Sequence, residues 1–485
     1  MKIGQTSIVV FVSKVLASAI GFLGTVYFAR TLGPEILGIY ATIVAVITWL
    51  QITGKVGVHS ALTKRLSEGR NRGAYLTAGI LCVTVASILT ILVVAIFRAS
   101  VDAYISGFNE YVGMSVVWFL LILFALQITY HITNAILQGQ HLVHITGLLQ
   151  PIRTGLINGI QFVLIFSFGF GLLGLVVGHT IGLAITALIG ILFVSIRPRV
   201  PNREQFASLL DYARFSWFGE LSNRTFSNAD ILILSALVPS QLVGIYSVTW
   251  ALSSFLNLFS GAISSAMFPK ISSVAAQDTV AATTALIEDT VTYAGLIVIP
   301  GVVGGALLDD RLLKIYGTGF GQGTQVLWFL LLAILMYSYL SQFTTALNGL
   351  DRPDLVFRTN LVFIVGNVLL NIVLIRSIGW TGAAIASLAS CTLGGLLAYR
   401  YLSRLVEFKI PVGEIGRQVT AAIVMGIVVW IADSFLDTHW LDGPNWLLLL
   451  GLVSVGAGTY VAILSLLSED FRDTVNRNIL SELPR

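Results

Sequence analysis

An all-α polytopic membrane protein is the fold class this sequence predicts, on three observations. Of its 485 residues 56% are apolar and only 11% are charged, against about 25% charged in soluble domains. The 28 Lys and Arg and 24 Asp and Glu are too few to clothe a water-soluble globule of this size. Apolar stretches of about 17–25 residues, the length that crosses a bilayer, recur along the whole chain, and no long β-type alternation competes with them.

The spans are expected near 6–30, 36–56, 76–98, 113–137, 142–168, 172–195, 212–238, 242–265, 284–308, 323–347, 355–377, 380–403, 417–436 and 446–467, fourteen in all. The first has about 20 apolar residues and no convincing cleavage site, so it reads as a helix and not as a signal peptide. The seventh is interrupted by Glu220, Arg224 and Asp230, and its crossing is argued from the loops. With the N-terminus in the cytoplasm, inner segments hold 20 Lys and Arg and outer ones five, Arg30, Arg98, Arg311, Lys314 and Arg376, as the positive-inside bias requires. Removing the seventh span would turn ten later basic residues outward and leave three inside. The expectation is therefore a multi-pass protein of the cell (cytoplasmic) membrane with both termini cytoplasmic. The loops run under about 20 residues, too short for a separate catalytic domain.

A net charge of +4, scattered over loops, gives no footprint for nucleic acid. Cys82 and Cys391 lie inside apolar runs without CxxC spacing, so neither a disulfide framework nor a thiolate metal site is expected. His131 and His179 read as isolated, no HExxH or His/carboxylate cluster is present, and no cofactor or metal is expected.

An internal repeat is visible. "LGPEILGIY" (Leu32 to Tyr40) parallels "LVPSQLVGIY" (Leu237 to Tyr246), setting Pro34 against Pro239 and Gly38 against Gly244 at offsets of 205 and 206. Gly139 parallels Gly349 at offset 210, and Gly174 parallels Gly382 at 208. Singly these are turns that Gly and Pro supply in any helical hairpin. At nearly constant offset they indicate duplicated six-helix halves in parallel orientation, giving expected divisions of 1–200, 201–404 and an appended pair of helices with a tail at 405–485.

With "ARTLGPEILGIYA" after the first span, "NADILILSALVPSQLVGIYSVTWAL" across the seventh and eighth, and "NGLDRPDLVFRTNLVFIVGNVLLNIVLIRSIGWTGAAIASLAS" across the tenth to twelfth, the chain resembles the Wzx-like polysaccharide and oligosaccharidyl-lipid flippases of the MOP exporter superfamily, which also holds the MATE drug exporters and the lipid II flippase. The resemblance spans most of the chain. It implies two bundles forming a V around a central cavity that opens alternately to either side. It also implies movement of a polyprenyl- or dolichyl-phosphate-linked oligosaccharide to the outer leaflet, for cell-surface polysaccharide or glycoprotein biosynthesis. The partners it implies are the lipid-linked glycan, membrane lipids and glycan-assembly enzymes in the membrane. No sugar-contacting residue transfers by motif.

Ionisable groups inside spans are the candidate site, because each costs at least about 2.5–3.5 kcal/mol near the bilayer centre. At about 1.5 Å per residue from the cytoplasmic ends, Arg153 lies roughly 16 Å deep, Arg224 roughly 19 Å, Glu220 roughly 13 Å and Lys14 roughly 12 Å. A guanidinium gives a phosphate head group a permanent charge and forked donors. Arg153, Arg224 and Lys14 are thus the expected lining of a cationic cavity, with Pro151 expected to kink the helix beside Arg153. Glu220 and Arg224 stand four residues apart and equally read as a self-neutralising pair. Asp230 either titrates or pairs locally. Lys14 shares a stripe with Ser7, Ser18, Gly21 and Thr25, facing a lumen or snorkelling to the interface. Asn134, Gln138, Asn158 and Gln161 offer hydrogen bonds to sugar hydroxyls or, more commonly, to neighbouring helices. Lys55 and Arg30 close helix ends, where interfacial anchoring is the usual role.

Two other readings stand beside the flippase. A MATE-type exporter of small cations calls for acidic cavities, whereas the first two spans here carry Lys14 and Lys55. A membrane glycan polymerase or glycosyltransferase calls for a large external loop or a metal-binding DxD, and Asp309 and Asp310 form only a short pair beside Arg311. A transporter and not an enzyme is expected.

Overall fold

The computed structural model describes residues 3–55, 57–277, 280–439 and 445–475; some helical side chains within them, those of 214–224 included, lie outside that description. The chain packs into two compact units, Met1–Ser247 and Val248–Arg485.

The first unit opens with α1 (Ile3–Lys55). Its 44-residue apolar stretch, Val12–Lys55, would run about 66 Å if straight, twice the roughly 30 Å hydrocarbon core. It breaks at Gly33, whose φ of 78° and ψ of 174° are open essentially to glycine alone. Pro34 follows the break, where its missing N–H costs little. Two helices meeting at Gly33 therefore cover the first two expected spans, and the turn expected between them reduces to a single residue. Then come α2 (Val58–Ser67), α3 (Arg72–Ile96), α4 (Arg98–Tyr104), α5 (Ser106–Val112), α6 (Val116–Gly139), α7 (Val143–Phe168), α8 (Gly171–Leu192), α9 (Arg203–Leu237) and the first half of α10 (Ser240–Ser254).

Local chemistry sets these boundaries. Ser115 caps α6 and is itself held by Asp102, which accepts from Ser115 Oγ at 2.8 Å and Val116 N at 3.1 Å. Asn202 and Gln205 form a capping box at the start of α9, satisfying two otherwise orphaned N–H groups. α7 runs as one helix through Pro151, which has no N–H to bond one turn back. α3 exposes Ile80, Val85, Ile88, Leu89 and Leu92, the face a lipid-contacting helix presents. α6 is wrapped by its neighbours, with Phe124 and Ile128 packing on Leu62, Leu66, Leu76 and Leu209, and Leu120 and Leu123 on Ile39, Ile43 and Phe108. α7 and α8 approach through glycines four residues apart: a Cβ at Gly178 would meet the Gln161 backbone at 2.8 Å and one at Gly182 the Ile157 backbone at 2.7 Å, the small-residue packing favoured between membrane helices.

The second unit continues with α11 (Asn257–Ala275), bent 42° from α10, then α12 (Val280–Leu296), α13 (Val298–Leu307), α14 (Asp309–Lys314), a 3₁₀ turn (Thr318–Gly323), α15 (Thr324–Gly349), α16 (Pro353–Ile378), α17 (Thr381–Leu402), α18 (Val412–His439), α19 (Asn445–Leu467) and α20 (Glu469–Val475). Among the described residues eleven helices are long and apolar enough to cross a membrane, and the bent α10–α11 pair makes a twelfth if it crosses as one. The difference from the fourteen expected spans has two sources. α1 counts as one helix, and the only apolar helical stretch of α9 among the described residues is the short Asn228–Leu237.

The repeat is present in backbone geometry. After α6, Gln140 N bonds Ile136 O, His141 N bonds Gln138 O and Leu142 N bonds Leu137 O; after α15, Leu350, Asp351 and Arg352 bond Ala346, Asn348 and Leu347 in the same pattern. Both turns carry a non-glycine residue at positive φ, His141 at 62° and Asp351 at 56°, at the offset of 210 already seen in the sequence.

Candidate functional site

The polar groups of the first unit gather where α1, α6, α7 and α8 meet. The Arg153 guanidinium on α7 lies over the Tyr130 ring of α6, 4.9 Å from its centroid. Stacking uses the guanidinium face and keeps its N–H donors in the plane of the group. The next residue, His131, donates from Nε2 to Gln51 Oε1 at 2.9 Å, and its carbonyl accepts from His59 Nδ1 at 3.0 Å. Gln51 stands one turn before Lys55 on α1, and both are buried, Lys55 at 3% exposure.

A second chain of bonds centres on Tyr40. Gln161 Nε2 donates to Tyr40 OH at 3.0 Å and to Leu175 O at 2.7 Å. The Tyr40 proton is then available to His179 Nδ1, 2.8 Å away. The histidines read as isolated in the sequence are therefore integrated: their partners come from helices more than 70 residues distant in the chain, which no local motif records.

The remaining candidates divide. Gln161 and Asn158 are engaged between helices, Asn158 Nδ2 donating to Ile20 O at 3.1 Å in space left by Gly24, whose Cβ would stand 2.7 Å from that nitrogen. Asn134 is buried with Oδ1 lacking a hydrogen bond among the described residues, Gln138 is half-buried, and Lys14 is exposed. Asp230 is buried at 3% exposure and accepts from the Tyr246 hydroxyl. Its helix α9 is seated by Tyr104 of α4, which donates to Leu232 O at 2.5 Å and whose phenol burial pushes up to about 12, and by Thr42, 2.7 Å from Ser235. Glu220 and Arg224 lie on α9 outside the described side chains.

Sequence reasoning missed Tyr40, Gln51, His59 and Tyr130. One signal was available: the repeated "GIY" places Tyr40 and Tyr246 at equivalent positions, and both hydroxyls hydrogen-bond polar side chains. The second unit has no described counterpart to the Arg153 stack. At the offset of 210, Phe363 and Leu340 stand in place of Arg153 and Tyr130. Its interior polarity is neutral, as where Gln342 donates to Ser260 O at 3.2 Å and accepts from Ser264 at 3.1 Å. Among the described residues no three His, Cys, Asp or Glu side chains stand close enough to ligate one bare metal ion.

Residues 3–275, more than half of the chain, match the model of a family described as polysaccharide biosynthesis protein. The chain belongs to that family. It is 30% identical, over 99% of both chains, to a probable flippase, AglR, of Haloferax volcanii. It is 27% identical, over the whole of both chains, to a probable low-salt glycan biosynthesis flippase, Agl15, of the same organism. Among solved structures its fold is similar to that of the lipid II flippase MurJ in an inward closed conformation, with a TM-score of 0.75, 16% identity, and 96% of this chain and 100% of that one covered. It is also similar to an inward-facing multidrug resistance MATE family transporter of the MOP superfamily, with a TM-score of 0.65, 16% identity, and 80% and 95% covered. The chain is thus a multi-pass membrane protein of the polysaccharide biosynthesis family with the fold seen in those two transporters.

Proposed function

We propose that this protein moves a polyprenyl- or dolichyl-phosphate-linked oligosaccharide from the cytoplasmic to the outer leaflet by alternating access, without covalent chemistry. The observation that carries the reading is Arg153: a permanent cation on a spanning helix, held over the Tyr130 ring. An anionic head group crossing an apolar slab needs such a partner. Lys14, Lys55 and Arg224 add positive potential in this scheme, and Asn134 and Gln138 meet sugar hydroxyls. Glu220 either pairs with Arg224 or, with Asp230, serves as a coupling site. Two repeated six-helix halves, 1–200 and 201–404, with the appended helices of 405–485, cross the cell membrane fourteen times when α1 counts twice and α9 once. Both termini then face the cytoplasm, beside the enzymes that assemble the glycan.

The test is export in cells lacking the native flippase. Arg153→Ala should insert in the membrane at normal levels and export no glycan, while Arg153→Lys keeps part of the activity. Wild-type export by an Arg153→Ala, Arg224→Ala double variant would overturn the cationic pathway.

A further inference from the structure

The strap that joins α8 to α9, residues 193–202, is pinned to the first unit along its length. Val194 and Ile196 pack on the cluster that holds Leu62, Leu66 and Leu76, Gln140 donates to Ser195 Oγ, and Arg199 N donates to Gly73 O at 3.1 Å. The approach at Gly73 is close: a Cβ there would stand 2.4 Å from Arg197 O and 2.9 Å from Arg199 Cγ. Pro198 and Pro201 fix their own φ and hold Arg197 and Val200, the residues before them, in extended backbone. The arginines of the strap are therefore set beside Arg70 and Arg72, where α3 begins.

Two features of this end point to one kind of partner. The first is unspent charge: among the described residues the exposed Arg70, Arg197, Arg199 and Arg203 take part in no ion pair and no side-chain hydrogen bond. The carboxylates close to them in the chain are otherwise placed. Glu68 is taken by Arg65 at 3.0 Å, and Glu204 lies in the first turn of α9, where the helix N-terminus favours an acid. The second feature is bare aliphatic surface in the same stretch, Leu192 at 83% exposure where α8 ends and Val200 at 89% between the two prolines. α8 has 22 residues, about 33 Å of helix, enough to cross the roughly 30 Å hydrocarbon core. The chain that follows it emerges at the depth of the lipid headgroups.

We propose that the strap is a docking surface for anionic phospholipid, with Arg197 and Arg199, beside Arg70, taking headgroup phosphate oxygens while Val200 and Leu192 enter the boundary between headgroups and acyl chains. Guanidinium forks match phosphate oxygens, and aliphatic side chains set among basic ones are the combination that binds at an anionic interface. On the orientation proposed above, this end meets the inner leaflet, whose surface is negative. Lipid bound here seats the α8–α9 connection, through Gly73, on the start of α3 and holds those helix ends at one depth. The partner is bulk lipid and not the transported glycan, so the inference stands apart from the flippase reading.

Native mass spectrometry of the purified full-length chain in detergent, with equimolar phosphatidylglycerol and phosphatidylcholine added, tests this. Wild type should retain phosphatidylglycerol in preference to phosphatidylcholine. An Arg197→Gln, Arg199→Gln double variant should weaken that retention by about 5-fold per arginine removed, the equivalent of about 1 kcal/mol each. Arg98→Gln, at an exposed position on α4, should leave it unchanged, and glycerol 3-phosphate, which has the phosphate without acyl chains, should not displace the lipid at equal concentration. The proposal is overturned if wild type shows no preference, if the double variant retains the lipid as wild type does, if Arg98→Gln loses it equally, or if glycerol 3-phosphate displaces it.

Discussion

Gly38 and Gly244 lie back to back, each against the backbone of the other's helix. A Cβ on Gly38 would stand 1.7 Å from Ser240 O and 2.9 Å from Gly244 N; one on Gly244 would stand 1.8 Å from Pro34 O and 2.9 Å from Gly38 N. Ser240 follows Pro34 by 206 residues, as Gly244 follows Gly38, so the contact is reciprocal under the repeat. No side chain fits at either position. Gly38→Ala and Gly244→Ala should each destabilise the protein by about 1–3 kcal/mol or more, as overpacking does, because the neighbour is rigid backbone on both sides. A lowered Tm in detergent and reduced export are expected; unchanged values for both variants would show that the two helices separate without cost.

Tyr130 supports Arg153 through its ring face, so the hydroxyl is dispensable and the ring is not. Tyr130→Phe should keep export near wild type, and Tyr130→Leu should lower it several-fold, in line with about 0.5–2 kcal/mol for a cation–π contact. Equal export by the Phe and Leu variants would remove the ring from the mechanism.

The Tyr246 hydroxyl donates to the buried Asp230 carboxylate. Tyr246→Phe withdraws a donor from a buried acceptor and should cost about 1–3 kcal/mol. Asp230→Asn keeps an acceptor oxygen and should cost less. A double-mutant cycle read by thermal unfolding gives the coupling between them, and a coupling of zero would place the stabilisation of Asp230 on its other contacts.

Fourteen crossings with a cytoplasmic N-terminus require Ser240 to face outside and Ala276 to face inside. Reporter fusions after these residues should be active on those sides. The opposite pattern would remove α9 as a crossing.

A phosphate-linked glycan carries negative charge outward, and an inside-negative potential favours that movement by about 2.3 kcal/mol per charge per 100 mV. In vesicles loaded with labelled lipid-linked sugar, flipping should follow an imposed potassium diffusion potential at equal pH and equal Na⁺, and Glu220→Gln should still respond. Flipping that ignores the potential and answers only to a pH or Na⁺ gradient would transfer the driving role to the carboxylates of α9.

The membrane as solvent, most helix positions, the repeat and the placing of Arg153 within a spanning helix were all legible in the sequence, because they depend on local apolar length, turn residues and the cost of charge in hydrocarbon. The turns at His141 and Asp351 repeat in the structure as they do in the letters, since a helix C-terminus is closed by its own last few residues. Tertiary structure alone decided which polar groups meet. His131 finds Gln51 across 80 residues and Tyr40 finds His179 across 139, and helical period sets only which face a residue occupies, never which distant face it meets. Tertiary structure also decided that Pro151 leaves α7 whole, that Gly33 alone separates two membrane-length helices, and that Gly38 meets its own repeat partner. Each of these depends on how closely neighbouring helices approach, a distance fixed by packing between elements and not by the composition of either one.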